Sequence, residues 1–243
     1  MTGTLINVAT VLIGGALGLV FGARLPERVR HTVLAGLGLF TAAFGVMLFL
    51  DTGNPLIVVA SLLFGGLLGE WWDIERGLER LGGWLEARAN RGQPNGDSAR
   101  FIRGFLTASL LFCIGPMTIL GSIQDGLTGD FELLAVKSVL DGFAALAFAS
   151  TLGVGVLFSV IVVFSYQGAL SLLASQAQAV LNEAMIQEMT AVGGIVILGL
   201  AISSLLEIKP IRTGNLLPAL LLAPIVVFLL ETIAPMIDLL RTP

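Results

Sequence analysis

The run Lys137-Ser138-Val139-Leu140-Asp141-Gly142 sets an ammonium and a carboxylate one helical turn apart inside an apolar stretch. At a rise of about 1.5 Å per residue from a helix start near residue 132, Lys137 lies roughly 9 Å and Asp141 roughly 15 Å below the membrane face. Asp141 is then close to a bilayer midplane. Insertion scales put such a charge at about 2.5–3.5 kcal/mol, so an ionisable pair at this depth reads first as an ion- or substrate-binding site. The competing reading is a self-neutralising pair within one helix. Lys before Asp is the poorer orientation for such a pair, and it places a cation near a helix N-terminus. Ser138 belongs to the same candidate set.

A second constellation precedes it: Cys113-Ile114-Gly115-Pro116-Met117-Thr118, then Ser122-Ile123-Gln124-Asp125-Gly126. Proline inside a helix frees the carbonyl four residues back, here that of Phe112, and Gly115 adds flexibility. Broken helices at membrane depth are tolerated where they face protein or a watery cavity, and in transporters they mark binding sites. Pro116 sits about 9 Å from the outer face, level with Lys137. The freed carbonyl, Thr118, Lys137 and Asp141 could line one polar pocket, with Gln124 nearer the surface and Gly115-Pro116 as gate. A tolerated kink is the alternative.

Other polar residues carry less. Gly14, Gly18 and Gly22, like Gly65 and Gly69, recur every four residues. That spacing lets membrane helices approach closely, and a sliding seam is the other option. Asn7, Ser165, Gln167 and Asn215 read as cross-links between helices, each worth about 0.6 kcal/mol. Glu70 and Glu231 fall at span ends. Asp51, Asp125, Asp130, Glu132, Glu183, Glu188 and Asp238 would make the outer face acidic and raise cation concentration there. One His (His31), one Cys (Cys113) and no catalytic motif argue against an enzyme; no cofactor is expected, and a metal site is left open.

The elements that must hold these residues follow from composition. Of 243 residues, 56% are hydrophobic and 12% charged, and mean hydropathy is +0.94. Soluble domains run at about 25% charged residues. Too little polar surface remains to coat a soluble particle, which excludes a soluble enzyme, a disordered tail, a disulfide scaffold and a nucleic-acid binder. Apolar runs without strict alternation fall at 3–22, 32–50, 55–72, 101–122, 132–151, 153–174, 188–206 and 216–236. They predict one all-α membrane domain, a polytopic helical bundle of seven or eight spans; the barrel alternative lacks its alternation. The first run, lacking a basic flank, reads as a retained span.

Charge supports eight. Arg24, Arg28 and Arg30, then Arg76, Arg80, Arg88, Arg91, Arg100 and Arg103, then Lys209 and Arg212 fall on one side only if 131–174 holds two spans. By the positive-inside rule that side is cytoplasmic. Residues 8–18 match 59–69 at seven of eleven positions, which suggests parallel two-helix repeats. In 73–88, Ile74, Leu78, Leu81 and Leu85 recur at helical spacing among charges, which predicts an amphipathic helix on the inner surface. Arg91–Ser98 reads as a solvated loop.

The motif from Gly115 to Gly126, the run Lys137–Phe143, the N-terminal Gly3-Thr4-Leu5-Ile6-Asn7 and Gly14-Gly15 together resemble the YdfK/YqgA-like family of bacterial inner-membrane proteins. The resemblance spans nearly the whole chain. It implies a bacterial inner-membrane protein with a domain of unknown function, of a kind labelled as candidate transporters and often given seven spans. Asp141-Gly142-Phe143-Ala144 also faintly resembles the Asp-Ala-Phe-Ala motif of manganese exporters, with Gly in place of the first Ala.

Two functions are therefore carried forward. One is a secondary transporter or channel for a small, cationic solute, with Asp141 and Lys137 at its centre. The other is a non-catalytic structural or partner subunit of a membrane complex, built on the glycine seams and the 73–88 helix. A lipid-acting enzyme ranks third for want of a catalytic constellation. The expected surroundings are the lipid bilayer and a small solute or ion, with no nucleic acid and with room for a homo-oligomer.

Overall fold

Proline, glycine and charge cut a nearly continuous apolar sequence into helices. The computed structural model describes residues 1–23, 26–89 and 98–241, and the side chains of all of these except 89 and 234–241. Among the described residues there is no strand. The order is α1 (Thr2–Gly22), α2 (Glu27–Leu50), α3 (Pro55–Trp72), α4 (Ile74–Ala89), α5 (Ser98–Cys113), α6 (Pro116–Thr128), α7 (Glu132–Leu152) and α8 (Gly155–Leu172). Then follow α9 (Ala174–Val180), α10 (Glu183–Leu200) with a π-helical turn (Ala201–Leu205), a 3-10 turn (Thr213–Leu216) and α11 (Pro218–Arg241).

Local chemistry sets these ends. The Asn54 side chain accepts from Leu56 N–H at 3.1 Å ahead of Pro55, so α3 starts with an Asn cap and a proline in its first turn. Asn182 caps α10 in the same way, accepting from Met185 N–H at 2.9 Å. The apolar stretch 131–174 is two helices, because Gly153 takes a left-handed φ of 83° and ends α7. Arg30 and Arg100 each donate to the Thr151 carbonyl at 3.0 Å, placing two cations at the α7 C-terminus where the helix dipole favours them.

Among the described residues seven helices are long and apolar enough to cross a membrane, and α5 with α6, bent by 64° at their break, makes an eighth crossing if the two act as one span. The chain is thus a multi-pass helical membrane bundle. Leu50, Leu56, Leu67, Phe143 and Leu221 are 69–75% exposed and point outward, as lipid-facing side chains must.

Helices gather in two groups. The first packs α1 along α7, with α5, α6 and α8, around Val11, Phe112, Ala145, Phe148 and Val156. The second packs α2, α3, α10 and α11 around Val58, Ala191, Val192, Ala219 and Ala223. Backbones touch at the glycines. A Cβ on Gly14, Gly18 or Gly22 would lie 2.0, 2.3 or 2.4 Å from the carbonyl oxygen of Gly142, Leu146 or Ser150 on α7. Gly65 meets Ala219, and a Cβ on Gly69 would sit 1.9 Å from the Asn215 carbonyl oxygen.

Helix α4 spans the segment read as amphipathic, and it packs on α5 and the 3-10 turn, with Leu85 buried beside Phe101 and Phe105. Arg88 stacks 4.7 Å over the Trp84 ring. Of the stretch read as a loop, 91–97 lies outside the described residues, as does Arg24, while Ser98 already begins α5.

Candidate functional site

Helix α7 carries the ion pair, and α1 completes it. Lys137 Nζ contacts Asp141 Oδ2, and both residues are buried, at 6% and 7% exposure. Asn7 Nδ2, from α1, donates to the same Asp141 oxygen at 2.9 Å. The close α1–α7 approach at Gly14 brings Asn7 within reach, because no side chain there holds the helices apart. One carboxylate thus accepts from an ammonium and a carboxamide, the pattern that keeps a buried charge tolerable.

The broken span lies beside this cluster. Pro116 has no N–H to offer the Phe112 carbonyl, and Gly115 takes φ 138°, which side chains rarely adopt. Thr118 Oγ1 donates to the freed Phe112 oxygen at 3.2 Å, replacing the lost helical bond. Thr118 is fully buried. The two other residues of the candidate set stand apart from the pair. Ser138 Oγ donates to the Leu134 carbonyl at 2.6 Å, within α7. Gln124 Nε2 donates to Asp130 at 2.8 Å in the exposed connection between α6 and α7.

A model of the family described as "Protein of unknown function (DUF554)" matches residues 2–228. The chain belongs to this family. It is 33% identical to the Bacillus subtilis (strain 168) protein described as "Uncharacterized membrane protein YdfK", covering 95% of this chain and 97% of the relative. It is 35% identical to the Escherichia coli (strain K12) "Uncharacterized protein YqgA", covering 91% of this chain and 94% of that one. No solved structure matches the chain.

Two acids read as outer surface charges are instead buried and used internally. Glu188 (3% exposed) accepts from Thr52 Oγ1 at 2.7 Å and from the Gly53 and Asn54 N–H groups at 2.8 and 2.9 Å, so it clasps the α2–α3 turn. Asp125 (3% exposed) accepts from Gly3 N–H at 3.1 Å and anchors α1 to α6. The side chain of Asp238 lies outside the described residues. Among the described residues no three His, Cys, Asp or Glu side chains converge.

At the arginine-bearing end, Asn215 does more than cross-link. Its Nδ2 donates to Glu70 at 2.6 Å and its Oδ1 accepts from Glu75 N–H at 2.7 Å, while Arg212 pairs with Glu70. Glu75 Oε2 in turn accepts from Gly214 N–H at 2.6 Å. Burial pushes the Glu75 carboxyl above its ordinary 4.5 and Glu79 adds to this, whereas the Gly214 bond and Arg212 oppose it. Asn7 is the helix cross-link the sequence suggested, but its partner Asp141 was not foreseen, and the role of Glu188 was missed. Their partners lie 134 to 136 residues away, and the glycine rhythm of α1 announced a close contact without naming the helix it would meet.

Proposed function

We propose that the protein is a secondary transporter or channel for a small, cationic solute, in which Asp141 is the coupling carboxylate and Lys137 the internal cation that occupies it between solutes. The observation carrying this is a buried Lys137–Asp141–Asn7 cluster at membrane depth beside a broken span. A solute cation arriving at Asp141 displaces the Lys137 ammonium. Asp141 passes from one cation to the other rather than standing bare at this depth, which would cost about 2.5–3.5 kcal/mol. Asn7 holds the carboxylate in place during the swap. The acceptor assigned to the displaced ammonium is the Phe112 carbonyl, which Thr118 now engages and must release. Rotation about Gly115 would open this route, so the break serves as gate.

The reading is non-catalytic, in keeping with a sequence that carries no catalytic motif around this carboxylate. It places the protein in the bacterial cytoplasmic membrane with the arginine-bearing end inside, in line with the positive-inside rule and with a relative named as a membrane protein. The test is thermal unfolding of the purified protein across Na⁺, K⁺, Mg²⁺, Mn²⁺ and pH. One cation, or H⁺, should raise Tm in the wild type and leave Asp141→Asn unmoved. If neither pH nor any cation stabilises the wild type, the cation reading fails.

A further inference from the structure

Buried polar side chains without partners are not spread evenly through the bundle. Among the described residues, six of the ten unpartnered buried side-chain atoms belong to Thr4 and Asn7 of α1, Ser122 and Asp125 of α6, and Gln167 of α8. Thr4, Asn7, Ser122 and Gln167 are fully buried, and Asp125 nearly so. These five line one seam, at the end of the bundle away from the arginines. The Gly3 N–H and the Met1 ammonium reach Asp125 Oδ2 at 3.1 and 3.0 Å, joining α1 to α6. The Ser171 hydroxyl donates to the Ser122 carbonyl at 2.9 Å, joining α8 to α6. Gln167 stands one turn before Ser171. Asn7 stands one turn after Gly3, where its Nδ2 holds Asp141. Leu134 of α7, fully buried, is wedged between Gly3 and Gly121: a Cβ on either would come within 2.6 or 3.0 Å of its side chain.

We propose that α6 is a lid over the Lys137–Asp141 cluster, shut in this structure, which opens by swinging away from α1 and α8 so that water and solute enter along this seam. Native proteins leave few buried polar groups unpaired. Here the packing is too close for water to reach these atoms, so only separation of the helices lets water pair them. Parting the deeper turns of α1 from α7 has no such compensation, because Val11 and the close contacts at Gly14 and Gly18 would expose apolar surface. The lid is also free to turn. It is a helix of thirteen residues set between Gly115 and Gly129, which take φ of 138° and 74°, and a Cβ on either would meet nothing within 4 Å. A few residues at the ends of an element are enough to absorb the dihedral change of a hinge. The seam leads to the ion pair, since Asn7 faces it through its unpartnered Oδ1 and holds Asp141 through Nδ2. What the lid admits rests on the reading of Asp141 as the coupling carboxylate, whereas its opening does not.

Thiol accessibility reads the lid without needing a solute to move. In a Cys113→Ser background, single cysteines replace Thr4, Ser122 or Val11, all fully buried here. The full chain in proteoliposomes meets a small, membrane-impermeant cationic thiosulfonate from the side that labels Asp51→Cys. Thr4→Cys and Ser122→Cys should be modified at least about tenfold faster than Val11→Cys, because only a locally opening segment lets the reagent in. Thr4→Val keeps the shape but removes an unpartnered hydroxyl, so it steadies the shut lid and should slow modification of Ser122→Cys by about fivefold or more. Leu134→Ala removes the wedge and should speed it. Should Leu134→Ala fail to fold, Thr4→Val still decides. One common rate for all three cysteines overturns the proposal, as does a Ser122→Cys rate that Thr4→Val leaves unchanged or raises. Cation flux with an inert Ser122→Cys removes the lid alone. The expected labelling in a protein that moves no cation keeps the lid and removes Asp141 as a coupling carboxylate.

Discussion

Lys137 and Asp141 are legible in sequence because their spacing is local: i and i+4 on one helix meet whatever the rest of the chain does. Asn7 is not, since nothing local ties α1 to α7. Removing one member of the pair leaves the other charge buried alone, so Lys137→Met and Asp141→Asn should each destabilise by about 3–5 kcal/mol. The double variant should recover much of that loss, and a thermodynamic cycle of the four proteins in denaturant measures the coupling. Asn7→Leu should cost about 1.5–3 kcal/mol, the scale of a hydrogen bond to a charged group. A loss near 0.6 kcal/mol, typical of a neutral cross-link between membrane helices, would instead separate Asn7 from the charge.

Among elements, glycines of similar sequence context divide sharply by position. Gly14→Ala drives a Cβ to 2.0 Å from the Gly142 carbonyl oxygen and should cost at least about 1–3 kcal/mol by overpacking. Gly36, within α2, has nothing within 4 Å of its would-be Cβ, so Gly36→Ala should be neutral or stabilising by about 0.5–1 kcal/mol in the same unfolding assay. The regular glycine spacing announced close packing, but the sequence could not say which helix each seam would meet. The break at Gly115-Pro116 was readable because proline chemistry is local. The 64° bend, by contrast, depends on neighbours.

The clasp of α4 on the 3-10 turn is likewise tertiary, and it carries a pH signature. Glu75 has a raised folded-state carboxyl pKa, so the folded protein binds its proton more tightly than the unfolded chain does. The contribution of Glu75 to stability should therefore fall as pH rises from 4.5 through the raised value and level off above it. Glu75→Gln should remove that part of the slope, read as the difference in Tm between the two proteins across pH 4 to 8, a span of about four units around the carboxylate range.

For the whole molecule, composition alone settled the membrane class, and charge asymmetry favoured an even number of crossings. What the sequence did not disclose was that two acids counted as surface charge, Asp125 and Glu188, are internal clasps, because burial depends on which turns they face. The bundle makes a topological prediction. In a Cys113→Ser background, cysteines at Asp51 and Asp130 should react with an impermeant thiol reagent from one side of the membrane, and one at Lys209 from the other. If Asp130→Cys labels from the side opposite to Asp51→Cys, α5 and α6 do not form a crossing.

The most direct measurement is flux into proteoliposomes of H⁺ and of mono- and divalent cations, wild type against Asp141→Asn. Cation entry in the wild type that vanishes in the variant is the predicted result, and it would locate the pathway at α7. Equal flux in both proteins, or none in either, would contradict it.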